Sequence, residues 1–330
     1  MLAINPKNLI QIIGVGYQGA QSGPARHTAA ALARNLVPVL PFRHLKVKTA
    51  MRFKTVLVHA DLSRHAPARI ELAAAICAEH GAHLVGAAMT GIPRAVFPNG
   101  CDPIPGTLLA SYVDPLVQTA RRALDVFEDI ARRRGVSHEP RLISDQAPEA
   151  LALLARFADL VVLSQDDPDE SLGYLPSASR MPDYVVINAG RPVLVVPRAG
   201  AVPECPRRVL LCWNGSREAS VTMAAAVPLL QRATHVSVAL FTRAFPNESV
   251  NAADLDDALA FLGRHAVRAG RAMRDPGHDT GRAILDLATE QGCDLVVMGC
   301  FGHSRFQELV LGGASRTVLQ EAALPVLMAR

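Results

Sequence analysis

From residue 54 onward, short runs of consecutive apolar residues alternate with longer stretches whose apolar positions recur at helical spacing. VLVH at 56–59 is followed by the Ala-rich IELAAAICAEH, then by HLVGAAM; far downstream DLVVM leads to a terminal PVLM. Runs of four to five residues that are apolar on both faces predict strands buried on both sides, and the intervening amphipathic stretches predict helices that cover them. The pattern therefore predicts a parallel sheet with helices on both faces. Gly81, between EH and AHLVG, marks a helix stop and a strand start.

The same order of elements occurs twice. KTVLVHADLSRHAP at 54–67 lies over RRVLLCWNGSREAS at 207–220, pairing Asp61 with Asn214 and Ser63 with Ser216. Ala-rich helices and second strands, HLVGAAMT and HVSVALFT, follow in both. DPLVQTARRALDVFEDIARRRG then matches DLDDALAFLGRHAVRAGRAMRD, each read as one charged amphipathic helix. EALALLARFADLVVLS matches RAILDLATEQGCDLVVMG, and the copies close on RPVLVVPR and LPVLMAR. Such internal repetition predicts two domains, at 53–198 and 206–330, joined by a linker at 199–205. Asp61 and Ser63 are expected to cap the helix that follows them.

The first 52 residues differ in kind. No Asp or Glu precedes Asp61, and the segment reads as a basic leader, flexible or outside the fold, with Met51 a candidate start. Gly14, Gly16 and Gly19 spell G-x-G-x-x-G, yet the acid that a dinucleotide ribose requires about twenty residues later is missing. Over the whole chain half the residues are apolar and the formal charge is +4, with cations and anions interspersed. That balance predicts a cytoplasmic protein without a nucleic-acid surface, and no apolar run is long enough to span a membrane. Six cysteines without CxxC spacing predict buried free thiols, and His80 with His83 lacks the further ligands a metal centre needs.

Candidate chemistry concentrates at GCFGHSRFQELVLGGAS, residues 299–315, directly after the apolar DLVVM. Gly299, Gly302 and Gly312 form G-x2-G-x9-G, followed by Gly313, Ala314 and Ser315. Glycines there allow backbone N–H groups to approach an anion, and a helix opening at the last of them offers its unpaired N–H groups and positive end. Together with Asp61-Leu62-Ser63, the DLVV strands and the PVLV and PVLM strands, this motif resembles the universal stress proteins, as a tandem member, over everything but the leader. The resemblance implies two doubly wound parallel five-stranded α/β sheets of the adenine-nucleotide alpha-hydrolase type. It also implies ATP, with or without Mg, held by Asn214, Met298, Gly299, Gly302, His303, Ser304, Arg305, Gly312, Gly313, Ala314 and Ser315. In that family the last strands of two domains pair, which here implies a pseudo-dimer within one chain and a homodimer as a further step.

The two copies are not equivalent. Ser164 and Asp167 stand where the second copy has Gly299 and Gly302, within SQDDPDES, and the four carboxylates Asp166, Asp167, Asp169 and Glu170 would repel a polyphosphate. The first copy is therefore expected not to bind ATP. In the second, the family's acid is Asn214 and its hydroxyl after the third glycine is Gly313, so affinity is reduced but the cradle is kept. Three readings follow: a nucleotide-binding regulator of the stress response with an unknown protein partner, a nucleotide-free scaffold or chaperone-like protein, and a slow ATPase. No GxxxxGK[ST] loop and no catalytic residues are apparent for the last.

Overall fold

The computed structural model describes residues 50–93, 107–170, 181–200, 202–242, 252–300 and 313–330, all within one compact unit, Val47–Arg330. Residues 1–49, most of the leader, therefore lie outside the described residues, as do Cys101 and residues 301–312.

The first half contains β1 (Thr55–His59), α1 (Ala66–His80), β2 (His83–Met89), α2 (Thr107–Arg133), β3 (His138–Ile143), α3 (Ala147–Leu154), β4 (Leu160–Ser164), α4 (Met181–Asn188) and β5 (Val193–Val196). The second half repeats this order with β6 (Arg208–Trp213), α5 (Arg217–Leu230), β7 (His235–Phe241), α6 (Ala252–Arg264), β8 (Gly270–Arg274), α7 (Thr280–Glu290), β9 (Leu295–Gly299), α8 (Ala314–Glu321) and β10 (Val326–Ala329). Ten strands form a single sheet in the order β3-β2-β1-β4-β5-β10-β9-β6-β7-β8. Every neighbouring pair is parallel except β5 and β10, which meet antiparallel with Leu194 opposite Leu327. The closing strands of the two halves thus protect each other's edges, as the family resemblance implied.

Central strands are buried throughout: Leu160, Val161, Val162 and Leu163 are inaccessible to solvent, and the sheet separates two apolar layers. Across the joint, Gln165 donates to the Ala322 carbonyl and accepts from Arg198 N, while the Glu79 carboxylate pairs with Arg207 at 2.8 Å. Cys77 is a buried free thiol that burial pushes up to about 12, and the buried Cys300 donates from Sγ to the Ala329 carbonyl at 3.2 Å.

Two sequence expectations fail at the sheet margins. The helix read through DLDDALAFLGRHAVRAGRAMRD stops at Arg264; Ala266 adopts a φ of 59°, and Gly270–Arg274 is an edge strand on β7. Its counterpart β3, HEPRLI, is equally polar. Edge strands face solvent and need no apolar run, so nothing in hydropathy announced them. The other failure is the α1 cap: the residue at that position is His65, which makes no side-chain capping bond, and Asp61 and Ser63 are occupied elsewhere.

Candidate functional site

In each half the chain departs from its first strand in one direction and reaches its fourth strand on the other side, so the carboxyl ends of β1 and β4, and of β6 and β9, flank a topological switch point. Crevices for ligands form at such points. In the second half β6 pairs with β9 with Cys212 opposite Met298, which sets Trp213 and Asn214 beside Gly299 at that end of the sheet. Because β10 runs parallel to β9, α8 must travel back across the sheet, and its first residues, Ala314 and Ser315, start from the same end.

Several sequence-selected residues carry structural duties there. Asn214 is exposed, and its Oδ1 accepts the Ser216 N–H at 3.1 Å, bending the chain into α5; Ser216 Oγ then caps that helix through Ala219 N. Met298 is buried in the sheet. Gly299 is required by packing: a Cβ there would lie 2.4 Å from Ala219 N and 2.5 Å from Glu218 C, so the first turn of α5 sits directly on the strand end. The spacing had suggested contact with an anion, yet the close neighbour of Gly299 is protein backbone. Gly313 occupies the α8 cap position without a side-chain capping bond, and Ser315 is only 4% exposed, so its hydroxyl faces the interior. Gly302, His303, Ser304, Arg305 and Gly312 lie outside the described residues. Trp213 packs partly buried against the core, and its indole Nε1 has no hydrogen-bond partner among the described residues.

The first-half crevice is built from other chemistry. Arg69, six residues after Ser63, is 1% exposed and donates from Nε to the His59 carbonyl at 2.8 Å, from Nη1 to Ser164 Oγ at 2.8 Å and from Nη2 to Asp61 Oδ1 at 2.9 Å. Thr222 occupies the corresponding place in the second half and donates to backbone carbonyls of Glu218 and Ala329. Asp61 also accepts from Ser63 N and Oγ. Burial opposes the Asp61 charge, but Arg69, His59 and Ser63 together hold its carboxyl well below the usual carboxylate range. The acid that could face a ligand is thereby spent inside the protein. A buried arginine with this role left no mark in the sequence pattern, which places arginines at the surface.

The acidic turn after β4 is not a set of bare charges either. Asp167 bonds Arg64 and His65, the latter at 2.7 Å, and these contacts lower its pKa, with His65 the larger influence. Glu170 accepts the Arg64 N–H at 2.6 Å. Asp167 and Glu170 are thus paired by residues that precede α1. Elsewhere, His83 Nδ1 lies 2.8 Å from Ser137 Oγ while His80 packs on Phe53, so these two histidines serve separate surroundings. Asp279 caps α7 through Gly281 N and Arg282 N.

His59 provides a pH test of this network. Burial lowers its imidazole from 6.5 to about 4 against the attraction of Asp61. The unfolded chain takes up a proton near 6.5 while the folded protein resists until about 4, so stability is complete above that range and declines as the pH falls through it. The expected loss between pH 7 and pH 4 is about 3 kcal/mol. Denaturant unfolding of His59→Gln should show that slope reduced; an unchanged slope removes His59 from the account.

A doubled, mostly parallel sheet with helices on its faces and loops converging on two switch points defines an α/β protein of the doubly wound class. Residues 206–330 match the model of the Universal stress protein family. The fold is similar to a universal stress protein from Archaeoglobus fulgidus DSM 4304, at 14% identity and a TM-score of 0.64, covering 84% of this chain and 96% of that one. It is also similar to a functionally unknown protein from Pseudomonas aeruginosa PAO1, at 17% identity and a TM-score of 0.52, covering 84% and 92%. No curated protein matches the chain. Among the described residues no helix is long and apolar enough to cross a membrane.

Proposed function

We propose that this protein is a cytoplasmic, ATP-binding regulator of the stress response whose nucleotide site lies in the 206–330 half alone, with the two halves acting as separate domains. The observation that carries the reading is the unequal treatment of the two switch points. The second offers Asn214, a glycine strand end at Gly299 and an α8 start without a side-chain cap. The first is filled by the Arg69 guanidinium and crossed by Asp167 and Glu170. A polyphosphate needs N–H donors and a positive helix end, and among the described residues the second switch point is free of the guanidinium and carboxylates that occupy the first. Gly302, His303, Ser304, Arg305 and Gly312 complete the proposed cradle, and adenosine lies towards Asn214. With no catalytic group assigned, occupancy acts by changing the affinity for a protein partner.

Equilibrium binding of labelled ATP, with and without Mg²⁺, to the full chain tests this. Saturable binding is expected, weakened roughly fivefold by Asn214→Ala, the loss of about one hydrogen bond. Binding that Gly302→Val leaves intact refutes the site. The absence of saturable binding at millimolar ATP favours a nucleotide-free scaffold, a reading to which the packing duty of Gly299 lends support.

A further inference from the structure

We propose that the first-half crevice is a binding site for a divalent transition-metal cation, with His65, Asp167 and Glu170 as its ligands. The inference is independent of the nucleotide reading. It starts from the acidic turn after β4: where the second half has Gly299 packed under α5, the first half returns two carboxylates to an imidazole on the loop after β1, 102 residues earlier in the chain.

Each carboxylate is positioned by its own backbone bond. Asp167 Oδ1 accepts the Asp169 N–H at 3.0 Å, and Glu170 Oε1 accepts the Arg64 N–H at 2.6 Å. Their second oxygens face His65 Nε2 at 2.7 Å for Asp167 and 3.9 Å for Glu170, and one donor atom of each residue lies within 4.8 Å of the others. A proton on Nε2 satisfies Asp167 alone, since 3.9 Å is beyond hydrogen-bond reach. A cation satisfies all three. With metal–ligand bonds of about 2.0–2.1 Å, tetrahedral ligand atoms stand about 3.4 Å apart, between the two observed separations. The side chains are 13%, 4% and 20% exposed, and with three protein ligands a tetrahedral ion takes water as its fourth.

Charge favours a cation here. Asp167, Glu170 and the neighbouring Asp169 face the Arg64 guanidinium, whose Nε and Nη2 reach Asp167 Oδ2. That guanidinium is 60% exposed and can move into solvent, vacating the oxygen a metal needs. Imidazole with carboxylates selects Zn²⁺ and its neighbours over Mg²⁺ and Ca²⁺, which prefer oxygen ligands alone.

The test is titration of Zn²⁺ alone into the full chain by calorimetry, with Co²⁺ absorption reporting ligand geometry. Wild type is expected to bind with micromolar or tighter affinity and to gain thermal stability. His65→Gln and Glu170→Gln should each weaken binding at least tenfold and abolish a tetrahedral Co²⁺ spectrum. Arg64→Ala should strengthen it several-fold, an outcome that a purely structural ion pair does not produce and that does not require the His65 variant to fold. The proposal is overturned if Zn²⁺ fails to bind at micromolar concentration, if neither glutamine variant changes the stoichiometric binding, or if Mg²⁺ or Ca²⁺ competes equally.

Discussion

Replacing Arg69 by methionine is expected to destabilise the protein by about 3–5 kcal/mol, the cost of stranding a buried charge when its partner is removed. The side chain is 1% exposed and its guanidinium serves three acceptors: the His59 carbonyl, Ser164 Oγ and Asp61 Oδ1. Methionine occupies similar volume, so the loss measures polar satisfaction more than cavity formation. Adding Asp61→Leu should recover part of it, because the orphaned carboxylate goes too, and a double-mutant cycle would show strong coupling. Unfolding followed by circular dichroism gives the total. The fluorescence of the sole tryptophan, Trp213, reports the second half. Coincident transitions would show that the continuous sheet binds the two halves into one cooperative unit. A single-variant loss below about 1 kcal/mol would mean that solvent reaches this guanidinium and that the crevice is open.

Gly299→Val carries the second large effect. Its side chain must displace Ala219 N and Glu218 C, both backbone atoms in the first turn of α5, and no rotamer relieves that contact. The expected destabilisation is about 2–4 kcal/mol, at or above the upper end for overpacking, because a helix terminus has to shift. Asn214 and Ser216 lie in the turn that enters α5, so nucleotide binding should fall along with stability. Gly302→Val, by contrast, should reduce binding with little change in the unfolding midpoint. Equal and small stability losses at the two glycines would contradict the division of labour argued for them.

The crevices differ because one position on the first helix and one at the end of the fourth strand differ together. Arg69 with Ser164 fills the first; in the second Thr222 ties α5 to the Ala329 carbonyl of β10 while Gly299 makes room for the first turn of α5 on β9. A serine at 299 would need the helix moved outward, and an arginine at 222 would need somewhere to bury its charge. Each pair is workable only as a pair, which explains how two copies of one fold present opposite polarity at equivalent places.

Hydropathy and self-comparison were enough to reveal the duplicated α/β unit, the apolar inner strands, the glycine that ends β9 and the acidic turn after β4. These are local properties: a strand covered on both faces must be apolar along its length, and a chain that approaches closely at a turn needs glycine, so both leave contiguous traces. The edge strands HEPRLI and GRAMR, the burial of Arg69, the backbone seated against Gly299 and the meeting of His65 with Asp167 leave none. Each depends on what lies opposite in space, often a hundred residues away. Only the packed sheet decides whether an arginine is solvated or enclosed, and whether a glycine makes room for a ligand or for a helix.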